Sequence, residues 1–178
     1  GADGTTAFAS QVDTSNPYSY SYTVTTVHPD GTTSTTPITG SPTGRLHVGD
    51  DGTTAVATVD PDTGLYTITA IHPDGSTHST ATTSGGYFFV TPHVSADGTV
   101  TSGIVTVNGA TNTVYMTTLI TVRPDGTTIT NAPIAGIADD EPFVGTDGTI
   151  VVTTHDLDGH YAITVIRPGG ITTSAQTR

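Results

Sequence analysis

Two short turn sequences recur along the chain and alternate with each other. The first is a Pro turn, present at His28-Pro29-Asp30-Gly31, His72-Pro73-Asp74-Gly75, Arg123-Pro124-Asp125-Gly126 and Arg167-Pro168-Gly169-Gly170. The second is an Asp-Gly turn, present at Asp3-Gly4, Asp51-Gly52, Asp97-Gly98 and Asp147-Gly148. Proline presets the φ of a tight turn and glycine accepts the left-handed position, so both sequences favour hairpins. Their alternation at a spacing of about 45 residues predicts a repeat protein.

Each repeat reads as four short strands joined by hairpins. In the second unit, Leu65–Ile71 alternates between apolar and polar residues, as a half-buried strand does. We predict one domain of four units, at residues 1–44, 45–86, 87–141 and 142–178. The first unit opens directly at its Asp-Gly turn, so we expect it to lack its first strand. Matching residues recur after 95 or 96 positions, as with Tyr66 and Tyr161, which indicates a duplicated two-unit block.

The composition excludes a helical protein. Threonine occupies 42 of the 178 positions, lysine is absent, and Glu141 and Met116 are the only residues of their types. Strong helix formers are therefore scarce, whereas β-branched residues are abundant. We expect an all-β fold.

Consecutive four-stranded meanders of this length are typical of β-propeller blades. The sequence predicts a four-bladed β-propeller or a partial propeller. The threonine-rich pattern at Arg123–Thr128 resembles the β-propeller-like repeats of secreted actinobacterial, mycobacterial-type proteins. The resemblance covers the whole chain and implies a secreted or cell-surface scaffold without specifying an activity. Two tandem Ig-like sandwiches of about 95 residues are the main alternative, and a β-solenoid or fibre is another.

The charge of the chain excludes some partners. The net charge is −12, and only four arginines oppose it. Nucleic-acid phosphates need a surplus of Lys and Arg, so nucleic acid is not an expected partner, and neither is an anionic membrane surface. No apolar run is long enough to predict membrane insertion. Cysteine is absent, which excludes disulfides and thiolate metal sites.

Two histidines are the candidates for ligand binding. His47 and His93 lie on the predicted inner strands, which line the central channel of a propeller. By contrast, His28 and His72 precede proline in a position that holds arginine in the later units, which indicates solvent-facing strand ends.

Paired aspartates at two equivalent hairpins suggest an oxygen-ligated metal. Asp60 with Asp62, and Asp156 with Asp158, form Asp-x-Asp sequences followed by glycine, like the opening of a calcium loop. The acidic run at residues 139–141 is a weaker alternative. Aspartate is also favoured in tight turns for its own sake. Calcium is the only cofactor that the sequence suggests, and none is expected to be required.

The sequence contains no nucleophile motif, so we expect no enzymatic activity. We predict a secreted, surface-associated module that binds glycan or protein through its loops or channel. A purely structural spacer of a large surface protein and a calcium-binding β module are the alternatives. The rings available for stacking on a glycan are Tyr18, Tyr20, Tyr22, Tyr87 and Tyr115. Unpaired sheet edges favour association, so we expect a closed ring, a homodimer or adjoining repeats of a longer chain.

Overall fold

The fold consists of strands and turns. The computed structural model describes residues 1–12, 21–82, 86–108, 114–139, 141–170 and 172–177, and the secondary structure assigned to them is β-strand. Within these ranges no helix has the length and apolarity needed to cross a bilayer. The strands form four antiparallel sheets in chain order.

The first two sheets show the repeating plan. The first sheet contains β1 (Thr6–Gln11), β2 (Ser21–Val27) and β3 (Thr33–Thr39). The second sheet contains β4 (Ser41–Pro42), β5 (His47–Val48), β6 (Thr54–Val59), β7 (Tyr66–Ile71) and β8 (Thr77–Thr82). Both β4 and β5 pair with β6, so together they form one interrupted inner strand.

The fourth sheet repeats the plan of the second with strands of the same lengths, whereas the first three strands of the third sheet are longer. The third sheet contains β9 (Gly86–Val94), β10 (Val100–Asn108), β11 (Val114–Val122), β12 (Thr128–Thr130) and β13 (Ile134–Ala135). The fourth contains β14 (Ile137–Ala138), β15 (Phe143–Val144), β16 (Ile150–His155), β17 (Tyr161–Ile166) and β18 (Thr172–Thr177). The second and fourth sheets thus begin at Ser41 and Ile137, a few residues before the unit limits predicted at residues 45 and 142. In both sheets these earlier residues form the first part of the interrupted inner strand, β4 in the second sheet and β14 in the fourth.

The Pro turns have the predicted geometry. The backbone N–H of Gly31 donates to the carbonyl of His28 at 2.9 Å. The φ angles of Gly31, Gly75 and Gly126 are 83°, 83° and 82°, which confirms the expected left-handed conformation. In the three Pro turns that contain an aspartate, its carboxylate also accepts a hydrogen bond from the residue two positions later, as Asp30 does from Thr32.

The four sheets pack face to face in chain order. We call the side of a sheet that points to the next sheet its forward face, and the opposite side its backward face. Three hydrophobic clusters fill the interfaces. The first joins Val24 of the first sheet to Val56 and Ile71 of the second. The second joins Tyr66, Ile68 and Ala70 to Val94, Val100, Ile104, Ile120 and Val122. The third joins Val90 and Leu119 to Val144, Ile150, Val152 and Ile166.

This stacking decides between the predicted architectures. Each sheet is built from consecutive strands, and each interface uses the forward face of one sheet and the backward face of the next. Ig-like sandwiches instead distribute consecutive strands between two sheets. The chain is therefore all-β and propeller-like, with four blade-like sheets. In the described part of the chain, no hydrophobic cluster joins the first sheet to the fourth.

Candidate functional site

The inner strands of three successive sheets bring two histidines and a glutamate together. His47 on β5 and His93 on β9 hold equivalent positions, because each stands four residues before the aspartate of an Asp-Gly turn. Pairing with Ala55 and Thr101 places both histidines on the forward faces of their sheets. Glu141, just before β15, reaches them from the fourth sheet.

One carboxylate oxygen contacts both imidazole rings. Glu141 Oε1 lies 2.5 Å from His93 Nδ1 and 2.9 Å from His47 Nδ1. The two rings meet edge to face, with centroids 5.0 Å apart and an interplanar angle of 81°. His47 Nδ1 is also 3.1 Å from the carbonyl oxygen of Pro92. The side chains of His47, His93 and Glu141 are 26%, 20% and 34% exposed, so the cluster is partly sheltered yet open to solvent.

These contacts define the donor chemistry of the cluster. Both Nδ1 atoms face oxygen acceptors, so in the neutral rings Nδ1 carries the proton and Nε2 the lone pair. Two imidazoles and one carboxylate are a recurrent ligand set for zinc and other divalent transition metals. The three potential ligand atoms lie within 4.8 Å of one another. Ligand atoms around a tetrahedral zinc ion are about 3.3 Å apart, so the two distances from Glu141 to the histidines need to lengthen by less than about 1 Å to admit an ion.

The structure places the two predicted channel histidines at one point, and it adds Glu141. The sequence prediction placed Glu141 only in the weaker acidic run at residues 139–141. It did not join Glu141 to the histidines, because nothing local marks it as a partner of residues in two other sheets. One available signal was that it is the chain's only glutamate and stands next to the inner strand of the fourth unit.

The predicted calcium hairpins use their first aspartates as turn caps. Asp60 Oδ1 accepts the backbone N–H groups of Asp62 and Thr63 at 2.9 and 3.1 Å. Asp156 Oδ1 likewise accepts the N–H groups of Asp158 and His160, both at 2.9 Å.

The two hairpins differ in their further partners. His160 adds a ring nitrogen 3.0 Å from Asp156 Oδ2, and its hydrogen bonds hold the pKa of Asp156 below the ordinary value. Asp156, Asp158 and His160 form a potential metal group, but all three are exposed. In the described residues no such group of three includes Asp60 or Asp62. Calcium at either hairpin stays a prediction.

Other residues considered in the sequence lie elsewhere. His72 lies directly after β7, at a strand end as expected, but it is only partly exposed, and its Nδ1 lies 3.2 Å from the hydroxyl of Thr53. In the acidic run, Asp139 contacts His155 rather than joining Glu141 at the histidine cluster. Tyr18, Tyr20 and Asp140 lie outside the described residues, as does the side chain of Tyr87.

A cleft of about 900 Å³ separates part of the third sheet from the fourth. Its walls include Asp97 and Arg123 from the third sheet and Asp147 and Arg167 from the fourth, with several threonine side chains between them. The cleft therefore collects two of the four arginines of the chain.

The cleft coincides with a change in how the Asp-Gly turns stack. A Cβ added to Gly52 would lie 2.9 Å from Asp3 Oδ2, and one added to Gly98 would lie 2.6 Å from Asp51 Oδ2. Turns of the first three sheets are thus in close contact. At Gly148 the nearest atom is Cγ of Pro168, in its own sheet, at 3.4 Å. The fourth turn stands apart, and the cleft occupies the space.

Comparison with known proteins yields a structural likeness but no family. No protein-family model and no curated protein matches the chain. Among solved structures, the chain is similar to a catalytically inactive virginiamycin B lyase from Staphylococcus aureus with quinupristin, at 10% identity and a TM-score of 0.31. The match covers 97% of this chain and 74% of that one. At this level of similarity it carries no conclusion about function.

Proposed function

We propose that this protein is a non-catalytic binding module that works through the inner strands of its sheets, with a divalent metal ion held by His47, His93 and Glu141. The proposal depends on one observation: three successive sheets each direct one metal-ligating side chain to the same point. Zinc fits best, because imidazole nitrogen is a favoured zinc ligand whereas calcium prefers oxygen alone.

Three protein ligands leave a coordination position free for an external donor. A carboxylate of an acidic glycan or a side chain of a partner protein would complete the coordination. This ligand class agrees with the extracellular glycan- or protein-binding role expected from the sequence. Binding through Nδ1 would shift the proton of each neutral ring to Nε2 and replace the contacts that Nδ1 now makes with Glu141. Because a metal ion binds the unprotonated ligand atoms, its affinity should fall in acid.

Calorimetric titration of chelator-treated protein with zinc tests the proposal. We expect one saturable site per chain. Replacing His93 by alanine or Glu141 by glutamine should weaken zinc binding by at least about tenfold, because each removes a ligand or its charge.

A matched control is His160→Ala, which removes a histidine from the exposed group at Asp156 and Asp158. It should leave the affinity unchanged. Absence of saturable binding would overturn the proposal, and so would an equal loss in the His160 variant, since that would indicate a site at the hairpin.

The cleft between the third and fourth sheets supports a second binding candidate. Its volume falls within the range of about 300–1,000 Å³ typical of small-ligand pockets. The guanidinium groups of Arg123 and Arg167, with threonine hydroxyls around them, suit a sugar that carries a carboxylate.

A panel of neutral and acidic oligosaccharides, measured with and without zinc, separates the two candidates. Binding at the cleft should be selective for acidic sugars, independent of metal and weakened by Arg123→Gln or Arg167→Gln. Arg45→Gln is the control, since Arg45 does not line the cleft. No binding of metal or of any sugar would favour the structural-spacer alternative.

A further inference from the structure

In the part of the chain that the structure describes, no sheet covers the forward face of the fourth sheet. Tyr161 and Ile163 on β17 correspond to Tyr66 and Ile68 on β7, because each pair stands seven and five residues before the proline of its turn. Tyr66 and Ile68 are 1% and 0% exposed beneath the third sheet, whereas Tyr161 and Ile163 are 50% and 44% exposed. The same positions that form an interface in the second sheet are thus open in the fourth.

This open face carries several apolar side chains. Phe143 on β15 is 66% exposed and pairs with Val151 on β16, which in turn pairs with Val165 on β17. Together with Tyr161 and Ile163, these residues form an apolar patch, and the ion-pair contact of His155 with Asp139 borders it beside Tyr161. Contiguous apolar surface of this kind marks an interaction site.

The backward face of the first sheet is also exposed, at a position where other sheets are buried. Phe8 on β1 stands four residues after the glycine of its Asp-Gly turn, as do Val56 and Val152 in the second and fourth sheets. Val56 and Val152 are each 2% exposed against the preceding sheet, whereas Phe8 is 53% exposed. On the other side of β1, Ala7 and Ala9 pack toward the second sheet.

The two open faces do not cover each other within one chain, since Phe8, Tyr161 and Ile163 are all about half exposed or more. They are nevertheless the two halves of an interface that the molecule already makes three times. Each internal junction sets a forward face against a backward face. A partner must therefore offer the same two faces, and a second copy of this chain does.

We propose that two copies associate head to tail, with the forward face of the fourth sheet of each copy covering the backward face of the first sheet of the other. This gives a ring of eight sheets with two identical junctions. A heterologous contact of this kind either closes into a ring or grows into a filament. Eight blades lie within the range at which propellers close. The proposal is independent of the metal site.

Size-exclusion chromatography with light scattering tests the assembly. The wild-type protein should have twice the mass of the 18.1 kDa chain. Ile163→Arg on one face and Phe8→Arg on the other should each give monomers, because a single blocked face disables both junctions. Leu157→Arg is the control: Leu157 is 62% exposed in the hairpin between β16 and β17, outside both faces, and the variant should remain a dimer.

Mixing the two monomeric variants distinguishes head-to-tail association from a symmetric dimer. Each variant keeps one intact face, so the mixture should form a dimer with one junction although neither variant associates alone. A dimer formed through two fourth sheets would instead survive Phe8→Arg, which would overturn the proposal.

A monomeric wild type would overturn it too, and would point to another covering element such as a further blade of a longer polypeptide. A series of larger masses would overturn the closed ring. Circular dichroism and melting of each variant check that the sheets are intact.

Discussion

The hydroxyl of Tyr66 lies 2.7 Å from the hydroxyl of Ser102, within the buried interface between the second and third sheets. Ser102 in turn donates to the carbonyl oxygen of Val90 at 2.6 Å, so Tyr66 is the donor in the first hydrogen bond. This relay satisfies the hydroxyl of a side chain whose ring lies in a hydrophobic cluster, and the side chain of Thr43 is a further hydrogen-bonding neighbour of that hydroxyl. Burial raises the pKa of Tyr66 to about 12, and the hydrogen bond from Tyr66 to Ser102 partly opposes that rise.

Replacing Tyr66 by phenylalanine tests this relay. At neutral pH the variant should lose about 1 kcal/mol of unfolding free energy, the usual net value of a buried hydrogen bond. At alkaline pH the difference should shrink. The folded-state pKa is raised above the ordinary value of 10.0, so the wild type loses stability once tyrosine ionises in the unfolded chain, and the variant lacks this loss.

Urea unfolding between about pH 7 and 11 measures both effects, since a tyrosine in the unfolded chain ionises near pH 10. Ser102→Ala is the control, because it removes the hydrogen-bond partner but keeps the buried tyrosine and its alkaline sensitivity. If the difference in unfolding free energy between wild type and Tyr66→Phe widens above pH 10, the pKa of Tyr66 is not raised by folding.

The Pro turns allow a test of backbone strain without side-chain clashes. A Cβ added to Gly75, whose φ is 83°, meets no atom within 4 Å. Gly75→Val should therefore destabilise the protein by about 1–3 kcal/mol through the left-handed backbone alone. At Gly126 the same Cβ would lie 2.8 Å from His78 Nδ1, so Gly126→Ala should cost more than Gly75→Ala. Thermal melting measures each change.

The His78→Ala background supplies the control for that comparison. With His78 shortened, Gly126→Ala and Gly75→Ala should have equal effects. An unchanged melting temperature for Gly75→Val would show that the turn tolerates a β-branched residue and that the strain argument is wrong.

The hairpins were predictable because their signals are local. The turn at Pro73, Asp74 and Gly75 specifies its own geometry, and the alternation along β7 indicates which residues share a face. It does not show that both faces of β7 are buried, because that depends on the sheets on either side. The interruption of the inner strands was not predictable from such signals. Ser41 and Pro42 pair with β6 only for the length of β4, and no pattern of apolar residues distinguishes them from a loop.

The candidate site was predictable only in part. His47 and His93 share a position in the repeat, so comparing units identifies them. Glu141 has no counterpart at that position, where the fourth unit carries Phe143. Its contact with the two histidines depends on how three sheets stack, which is a long-range property. The open faces at Phe8 and Ile163 depend on the same stacking.

Acid pH should weaken the turns that aspartates cap. The pKa values of Asp30 and Asp74 are held below the ordinary 3.8, mainly by hydrogen bonds from the hydroxyls of Thr32 and Ser76 and then from their backbone N–H groups. Because the pKa of these aspartates is lower in the folded than in the unfolded state, their ionised form stabilises the fold at pH values above the unfolded-state pKa. This contribution is lost as the pH falls from 3.8 through the lower pKa values of the folded state. The melting temperature should therefore fall below about pH 4.

Asp74→Asn isolates this effect. Asparagine keeps an oxygen acceptor for Ser76 but cannot be protonated in this range, so the decline in melting temperature toward low pH should become shallower. Asp62→Asn is the matched control, because Asp62 takes part in its turn through its backbone N–H, which the substitution keeps. An identical acid profile for wild type and Asp74→Asn would contradict the role of this carboxylate.

The stacked Asp-Gly turns provide the last test, because equivalent glycines differ in their surroundings. Gly98 and Gly148 have φ angles of 80° and 76°, so alanine imposes a similar backbone strain of about 1–2 kcal/mol at both. At Gly98 the new methyl group would also lie 2.6 Å from Asp51 Oδ2, which accepts the hydroxyl of Thr53 at 2.7 Å. Gly98→Ala should therefore destabilise the protein by about 1 kcal/mol more than Gly148→Ala, since it displaces a hydrogen-bonded carboxylate. Urea unfolding of both variants in wild-type and Asp51→Ala backgrounds measures the difference, which should disappear when Asp51 is absent. Equal effects in the wild-type background would mean that the turns of the second and third sheets are not in contact, and that the fourth sheet is not set apart from the others.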